Sequence, residues 1–585
     1  MESPSPTTEN YDVVICGGGK AGLCIARQLR QTLPSASIAV VERSTRPLPL
    51  ACHKVGESSV ELATHYFREV LGLADYLEET HLHKNGLRFF TDGGSVPLKE
   101  RPEIGPAEFP IVPSFQIDRG RFETDMRGFI EDAGVVLLEG VSVRDLAIGE
   151  ENETHRVALS DGRTLNARWL VDASGRGRLI SKRLDLRRPS PNAASAAWFR
   201  IEGQLRVADL VHEDERAWHA RDVDGNRWQS TIHLMGEGYW VWIIVLATGH
   251  TSIGIVADHE HHPFATYNRE ERANEWLKKH EPQLAAFLDG KPREDFRVVH
   301  NYSYLSERVF DSKRRWACVG EAALFVDPLY SLGGDFLGMA NTYATRIIRE
   351  DLEGVSDGER HPVAEALNET MLLLARDAAR TLSTNGKVFP HSDVLGAKLW
   401  WDFFNYWSFM CGHFFQRIYD TDVDTLVAFV EMGQQYYELN TSAQTILETW
   451  GALKSERGAK KSFVPLPMFP SVLAKQHVAL LEKLDAAATL EKMKADLETG
   501  RELVTEVLAH ALRDLGEDKA GLLREKLGGS APLGARTALR FDSDALPRRE
   551  RVGRLPEIGR DLERALGRKN AAVPLSTLWD PSRRP

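Results

Sequence analysis

Residues 11–42 constrain this chain more than any other stretch. YDVVIC (residues 11–16) is a β-branched run of the kind that forms a buried parallel strand. It leads into GGGKAG, which sets Gly17, Gly19 and Gly22 in a G-x-G-x-x-G register, and a helical pattern, LCIARQLRQTL, follows. A second β-rich run, SIAVVE, ends on Glu42, with Arg43 beside it, about 20 residues past the last glycine. Each part has a physical task in a dinucleotide-binding unit. Gly17 permits the tight turn, Gly19 lets the backbone approach a pyrophosphate, Gly22 lets helix and strand pack closely, and Glu42 meets a ribose. The helix N-terminus offers free N–H groups and positive dipole to the phosphates. In this order the parts predict a Rossmann-type α/β fold.

Later segments point to FAD rather than NAD. Residues 114–126 (SFQIDRGRFETDM) resemble the segment that sets Gln116 and Arg119 near the flavin in hydroxylase-like flavoproteins. Residues 165–178 (LNARWLVDASGRGR) read as a strand running into Asp172. Residues 316–336 (WACVGEAALFVDPLYSLGGDF) resemble the strand–acid–proline–glycine segment whose acid, here Asp327, binds the ribityl chain. Glu321 stands where that pattern has aspartate. A helix starting after Gly334 aims its N-terminus at the flavin pyrimidine and stabilises the reduced anion. No second G-x-G-x-x-G unit with a distant acid follows. The nicotinamide therefore binds transiently, or reduced flavin arrives from a separate NAD(P)H-dependent flavin reductase.

Three local patterns resemble the tryptophan-halogenase superfamily of flavin-dependent halogenases. The first is CHKVGESSVELATHYFREVLGL (residues 52–73), whose Gly56-Glu57-Ser58-Ser59 matches the superfamily's GE[AS]T-type segment. The second is HLHKNGLRFF, with Lys84 just ahead of a predicted strand, where these enzymes carry their catalytic lysine. The third is GYWVWIIVLATGHTSIGIV (residues 238–256), similar to the WxWxIP signature, with Val245 in place of the proline. Trp240 and Trp242, at i and i+2, project from one face of a strand.

The resemblance implies FAD used as FADH2, dioxygen, and chloride or bromide oxidised to hypohalous acid. It also implies that Lys84 receives this species and presents electrophilic halogen to the substrate. Lysine suits the task because it can give up its proton, whereas arginine effectively cannot. Trp240, Trp242 and Tyr330 are expected to wall the site, and the N–H groups of Leu332 and Gly333 to cradle the halide. Tryptophan halogenases typically carry an ESTG segment where this chain has Tyr330-Ser331-Leu332-Gly333. The missing carboxylate favours an electron-rich phenol or pyrrole over free tryptophan. Asp335 is unusual there, and either modulates the halide site or caps the next helix.

From about residue 346 the sequence turns helical and loses strand-like runs, with helical spacing in residues 363–384, 426–450 and 472–515. Gly500 is the main breaker in the last of these, which reads as two or more helices. KLWWDFFNYWSFMCGHFFQRI (residues 398–418) carries nine aromatics and suits helix packing, a substrate-pocket wall or an interfacial membrane contact. His413 within it reads as a packed histidine. The expected architecture is a FAD-binding body of the aromatic-hydroxylase type (residues 1–345) with an inserted antiparallel sheet near residues 190–300. A helical C-terminal domain (346–525) and an Arg-rich surface extension with a short helix (526–585) complete it.

A net charge of −11 argues against nucleic acid. Five scattered cysteines, including Cys52, predict neither disulfides nor a metal site. With no signal sequence and no apolar stretch long enough to span a bilayer, the expectation is a cytoplasmic enzyme. Its substrate is a small aromatic, free or tethered to a carrier protein. Other readings of the same residues are a flavin monooxygenase hydroxylating an aromatic, a FAD-dependent reductase of a lipophilic alkene, and a non-catalytic flavin-binding protein.

Overall fold

A computed structural model describes residues 8–50, 54–222, 224–383, 385–454, 463–466, 471–527 and 555–567. The strands Thr8–Cys16, Ile38–Glu42, Val136–Glu139, Thr164–Asp172 and Trp316–Cys318 form a parallel sheet. Thr8–Cys16 lies at its centre, between Ile38–Glu42 and Thr164–Asp172. Val13, Val14 and Ile15 are fully buried, as continuous apolar runs in a two-sided parallel sheet must be.

The second sheet has eight strands, in the order Asp295–Val299, Ala194–Glu202, His250–Asp258, Tyr239–Val245, Thr231–Gly236, Leu87–Phe90, Glu103–Gly105 and Phe463–Pro465. Strand alternation sorts its two faces. Trp240, Trp242 and Ile244 join the core shared with the first sheet, whereas Tyr239, Val241 and Ile243 join a separate core under the helices Glu270–His280 and Pro282–Leu288.

Two features depart from the sequence-based division. The first is that the proposed boundary at residue 345 falls inside the helix Gly333–Leu352. The second is the strand Phe463–Pro465, which the helical reading of this region did not anticipate and which pairs in parallel with Glu103–Gly105. One apolar core then runs without interruption from the first sheet into the helices Asp357–Leu382, Ser392–Asn405 and Val423–Leu453. The helical region is therefore a layer on the body, because its apolar faces have nowhere else to go.

The helix Ala486–Leu527 passes straight through Gly500, which packs against Leu439 and Phe404, and breaks instead at Gly516, where φ is +71°. The helix Leu555–Ala565 is docked rather than solvated. Ile558 and Leu562 are buried, and an Asp561 carboxylate oxygen accepts from Val472 N–H at 2.8 Å. The rest of the Arg-rich extension, and Cys52, lie outside the described residues. Among the described residues, no helix is long and apolar enough to cross a membrane.

Candidate active site

The glycine loop is built by close approach. A Cβ on Gly22 would stand 1.9 Å from the Gly17 carbonyl oxygen, and one on Gly17, at φ +120°, would stand 2.4 Å from that of Ala173. Gly19 differs: its nearest neighbour to such a Cβ is a Glu123 oxygen at 3.9 Å, so the backbone here faces open space. The Glu42 carboxylate accepts from Gly18 N–H at 2.7 Å and from the N–H and O–H of Ser44, holding it at the strand end. Arg43 is exposed beside it.

Lys20, Lys54 and Arg119 converge at the N-terminus of the helix Lys20–Thr32, around Glu123. Burial would raise Glu123, but Arg119 and Lys54 outweigh it and hold the carboxyl at about 2. Burial, reinforced by Arg119, pushes Lys20 down to about 7. Lys54 and Arg119 against one carboxylate, with Lys20 Nζ nearby on the Gly56 carbonyl, leave a net positive helix N-terminus that fits the pyrophosphate of FAD.

Gln116 is fully buried, donates to the Gln229 carbonyl at 2.6 Å, and keeps its own Oε1 without a partner. Asp327 accepts from Tyr302 O–H at 2.5 Å, from Leu329 N–H at 2.9 Å and from Asn192. Burial raises it to about 6. Glu321, not Asp327, is the acid whose charge reaches Lys20, and it pairs with Arg176 at 2.9 Å.

The loop after Asp327 carries Leu332 and Gly333, the residues expected to cradle a halide. Ser331 is left-handed (φ +64°) and Leu332 right-handed (φ −64°), an alternation that turns successive N–H groups to one side. Leu332 and Gly333 open the helix Gly333–Leu352, so their N–H groups precede its first internal bond. His233 fixes the loop by contacting the Leu329 carbonyl at 3.1 Å through Nε2 and the Arg88 carbonyl at 3.2 Å through Nδ1. Tyr330 donates to Asp402 at 2.8 Å. Gly334 sits close to Ala63, where a Cβ would stand 2.8 Å from that of Ala63.

Asp335 caps a helix, though not its own. Its two oxygens accept from Ala63 N–H and Tyr406 O–H, both at 2.8 Å, satisfying the first turn of the helix Glu61–His65. Burial lifts its carboxyl to about 8.

Trp240 and Trp242 lie 5.8 Å apart, both buried. Trp242 crosses the neighbouring strand over Gly254, where a Cβ would stand 2.1 Å from the indole. The Gly56–Ser59 segment anchors the site. Glu57 pairs with buried Arg200 at 2.6 Å, Ser58 bonds Thr231 at 2.8 Å, and the Ser59 carbonyl accepts from Lys84 Nζ at 2.7 Å.

Lys84 is fully buried. Burial depresses its ammonium to about 7, against partial support from Glu61 and Asp335. Its backbone N–H donates to the Ser114 carbonyl at 2.7 Å. Ser114 lines a solvent-open pocket enclosing about 880 Å³ together with Gly86 and Leu87 from the body, Tyr330 and Leu332 from the loop after Asp327, and Phe403, Trp407 and Met410 from the aromatic helix. That helix switches to π-helical geometry over Tyr406–Cys411, turning these side chains toward the cavity. Trp400, Trp401 and Phe404 are packed in the core instead, so the segment supplies both packing and a pocket wall. His413 is packed, with Tyr343 at 2.6 Å from its Nε2.

A glycine loop of this geometry, with an acid at the end of the second strand and cations at the helix N-terminus, fits a Rossmann-type dinucleotide site. The tryptophan halogenase family model matches residues 12–95 and 96–340, so the chain belongs to that family and is a flavin-dependent halogenase, an enzyme of FAD and halide. It is 26% identical over 432 residues to the flavin-dependent halogenase chlA of Dictyostelium discoideum, covering 68% of this chain and 70% of that one. It is 25% identical to a 1H-pyrrole-2-carbonyl-[peptidyl-carrier protein] chlorinase of Pseudomonas fluorescens, covering 55% and 72%. The halogenase PltM, also solved with phloroglucinol and FAD, shares the fold with a TM-score of 0.64 at 15% identity, over 83% of this chain and 96% of its own.

The sequence reading missed the cavity residues Glu61, Asp377, Asp402 and Asn405, and His477. Residue spacing carries no signal for them, since they meet only when the helical layer folds onto the body.

Proposed function

We propose that the enzyme uses FADH2, supplied by a separate NAD(P)H-dependent flavin reductase, and dioxygen to oxidise chloride or bromide, and that Lys84 passes the resulting hypohalous acid to an electron-rich aromatic. The reduced cofactor supplies the two-electron activation of dioxygen. The chain's own residues do the rest. Leu332 and Gly333 hold the halide through backbone N–H groups, while Trp240 and Trp242 keep water and bulky organic groups from the flavin side.

The observation that carries the reading is Lys84, a buried lysine beside an apolar cavity with its ammonium lowered to about 7 by burial. At neutral pH it is present in both protonation states, able to hydrogen-bond a hypohalous acid as ammonium or to take halogen as amine. Tyr330, Phe403 and Trp407 give the cavity aromatic walls that suit a phenol or a pyrrole. A pyrrole delivered on a carrier protein is the substrate type in the names of two relatives.

The test is mass spectrometry of aerobic reactions with FAD, NADH, a flavin reductase and bromide over phenols, pyrroles and indoles. The expected product shows a bromine isotope doublet that disappears in Lys84→Ala. Product with added oxygen and no halogen, unaffected by that substitution, would replace this reading with a monooxygenase.

A further inference from the structure

The cavity carries polar groups that the lysine chemistry leaves unused. On one side Asn405 is wedged beneath the wall. Its Nδ2 donates to Asp377 Oδ2 at 2.8 Å, which fixes the amide orientation, and its Oδ1 is buried without a hydrogen-bond partner. Asp377, also in the wall, already has both oxygens engaged as acceptors, by Asn405 Nδ2 and Asn440 Nδ2 at 2.8 Å. Asp402 is further engaged by Lys398, Tyr330 and Gln444, each within 2.8 Å.

On the other side stands His477, fully buried and supplied by the helix Val472–Ala479. Its Nδ1 has no hydrogen-bond partner, and its Nε2 faces Glu61 Oε1 at 3.4 Å, too far for a well-formed hydrogen bond. Burial works against an ionised Glu61, but His477, the Glu61 backbone and Lys84 together hold its carboxyl below the usual range, so it stands as an acceptor. A row of rings joins the two sides: His477 stacks on Trp407 at 4.5 Å, Trp407 meets Phe403 at 5.5 Å, and Phe403 meets Tyr330 at 6.2 Å.

Buried polar atoms without partners are costly, and a native cavity that keeps them is shaped for a ligand that satisfies them. We propose that Asn405 and the His477–Glu61 pair are the specificity-determining contacts of the cavity. Together they select a flat aromatic bearing hydrogen-bond donors at two separate positions, namely a diol of one or two fused rings. One hydroxyl donates to Asn405 Oδ1 and the other to the His477–Glu61 pair, while the ring lies along Trp407 and Phe403. The pocket opens to solvent, so a second fused ring can extend toward its mouth. This assignment rests on the halogenase reading of the same cavity and narrows its substrate class.

The experiment measures binding to oxidised, FAD-loaded enzyme by titration calorimetry, without reductant or halide. The probes are a naphthalenediol with one hydroxyl on each ring, its monomethyl ether and its dimethyl ether. The diol is expected to bind about 10- to 100-fold more tightly than the monoether, the span of one hydrogen bond to a buried or charged partner. Asn405→Leu, which keeps the bulk but leaves Asp377 Oδ2 without its donor, should reduce that preference to within about threefold. His477→Phe, which keeps the stack on Trp407, should do the same independently. Retained FAD and a single cooperative unfolding transition show that each variant is folded.

Equal binding of diol and monoether, undiminished preference in both variants, or no binding of any probe would overturn the assignment. The two readings fail separately. Lys84-dependent bromination of a pyrrole with no diol preference removes this inference alone, and a diol preference without halogen transfer removes only the halogenase mechanism.

Discussion

Replacing Lys84 with methionine is expected to stabilise the folded enzyme, by an amount that shrinks as the pH rises. Burial lowers the Lys84 ammonium from 10.5 to about 7, so the folded state holds this proton less tightly than the unfolded chain does. Between these values the unfolded state binds more protons, and stability therefore increases with pH. The cost is absent above the unfolded value and is complete once the pH falls below the folded one. A shift of this size corresponds to about 5 kcal/mol below pH 7, at ~1.4 kcal/mol per unit. At about pH 9 roughly 2 kcal/mol of it remains. Methionine fills the same space without charge and forfeits only the bond to the Ser59 carbonyl, worth about 1 to 3 kcal/mol.

The assay is thermal unfolding of both proteins with saturating FAD at about pH 6 and pH 9. Titrating groups that do not sense Lys84 are common to the two proteins and cancel in the difference. The carboxyls of Glu61 and Asp335, which the Lys84 charge lowers, rise in Lys84→Met and titrate below the upper assay pH. The expected result is a gap in melting temperature that favours Lys84→Met and narrows by a few degrees on going to the higher pH. A gap that is the same at both values would refute the claim that Lys84 is held near neutrality by its burial.

Gly254→Val is expected to expel Trp242, because even a Cβ there would stand 2.1 Å from the indole. Halogenated product per flavin oxidised should fall at least tenfold, with hydrogen peroxide rising to match, as read by paired product and peroxide assays. Tyr330→Phe removes one of the donors to buried Asp402 while Lys398 and Gln444 remain, so a loss of about 1 to 2 kcal/mol is expected in denaturant unfolding.

The sequence exposed the nucleotide unit because its demands are local: a turn, a close approach and an acid within 32 residues, 11–42. The tryptophan pair was equally legible, since strand alternation alone puts Trp240 and Trp242 on one face. Lys84 was legible through its surroundings in sequence, but its depressed ammonium is a property of burial that no spacing records. Asp335 shows the limit well. Either of the roles open to it was consistent with its position, and only packing against the helix Glu61–His65 reveals a cap given across elements. Asn405, Glu61 and His477 come from residues more than 300 apart at the extremes, and no local pattern links them.

The strand Phe463–Pro465 ties the helical layer into the second sheet, and the residues on either side of this tie face one cavity. Under the proposed function, the groups assigned to halogen activation and those assigned to its recipient come mostly from different stretches of one chain. The glycine loop, tryptophan pair and lysine precede residue 260 and the Leu332–Gly333 turn follows them, whereas Phe403, Asn405, Trp407 and His477 all follow residue 400, with Glu61 the recipient contact that lies in the earlier stretch. A change of preferred recipient can accumulate in the later stretch while the oxidising apparatus stays untouched. The shared strand is what prevents the two stretches from drifting apart.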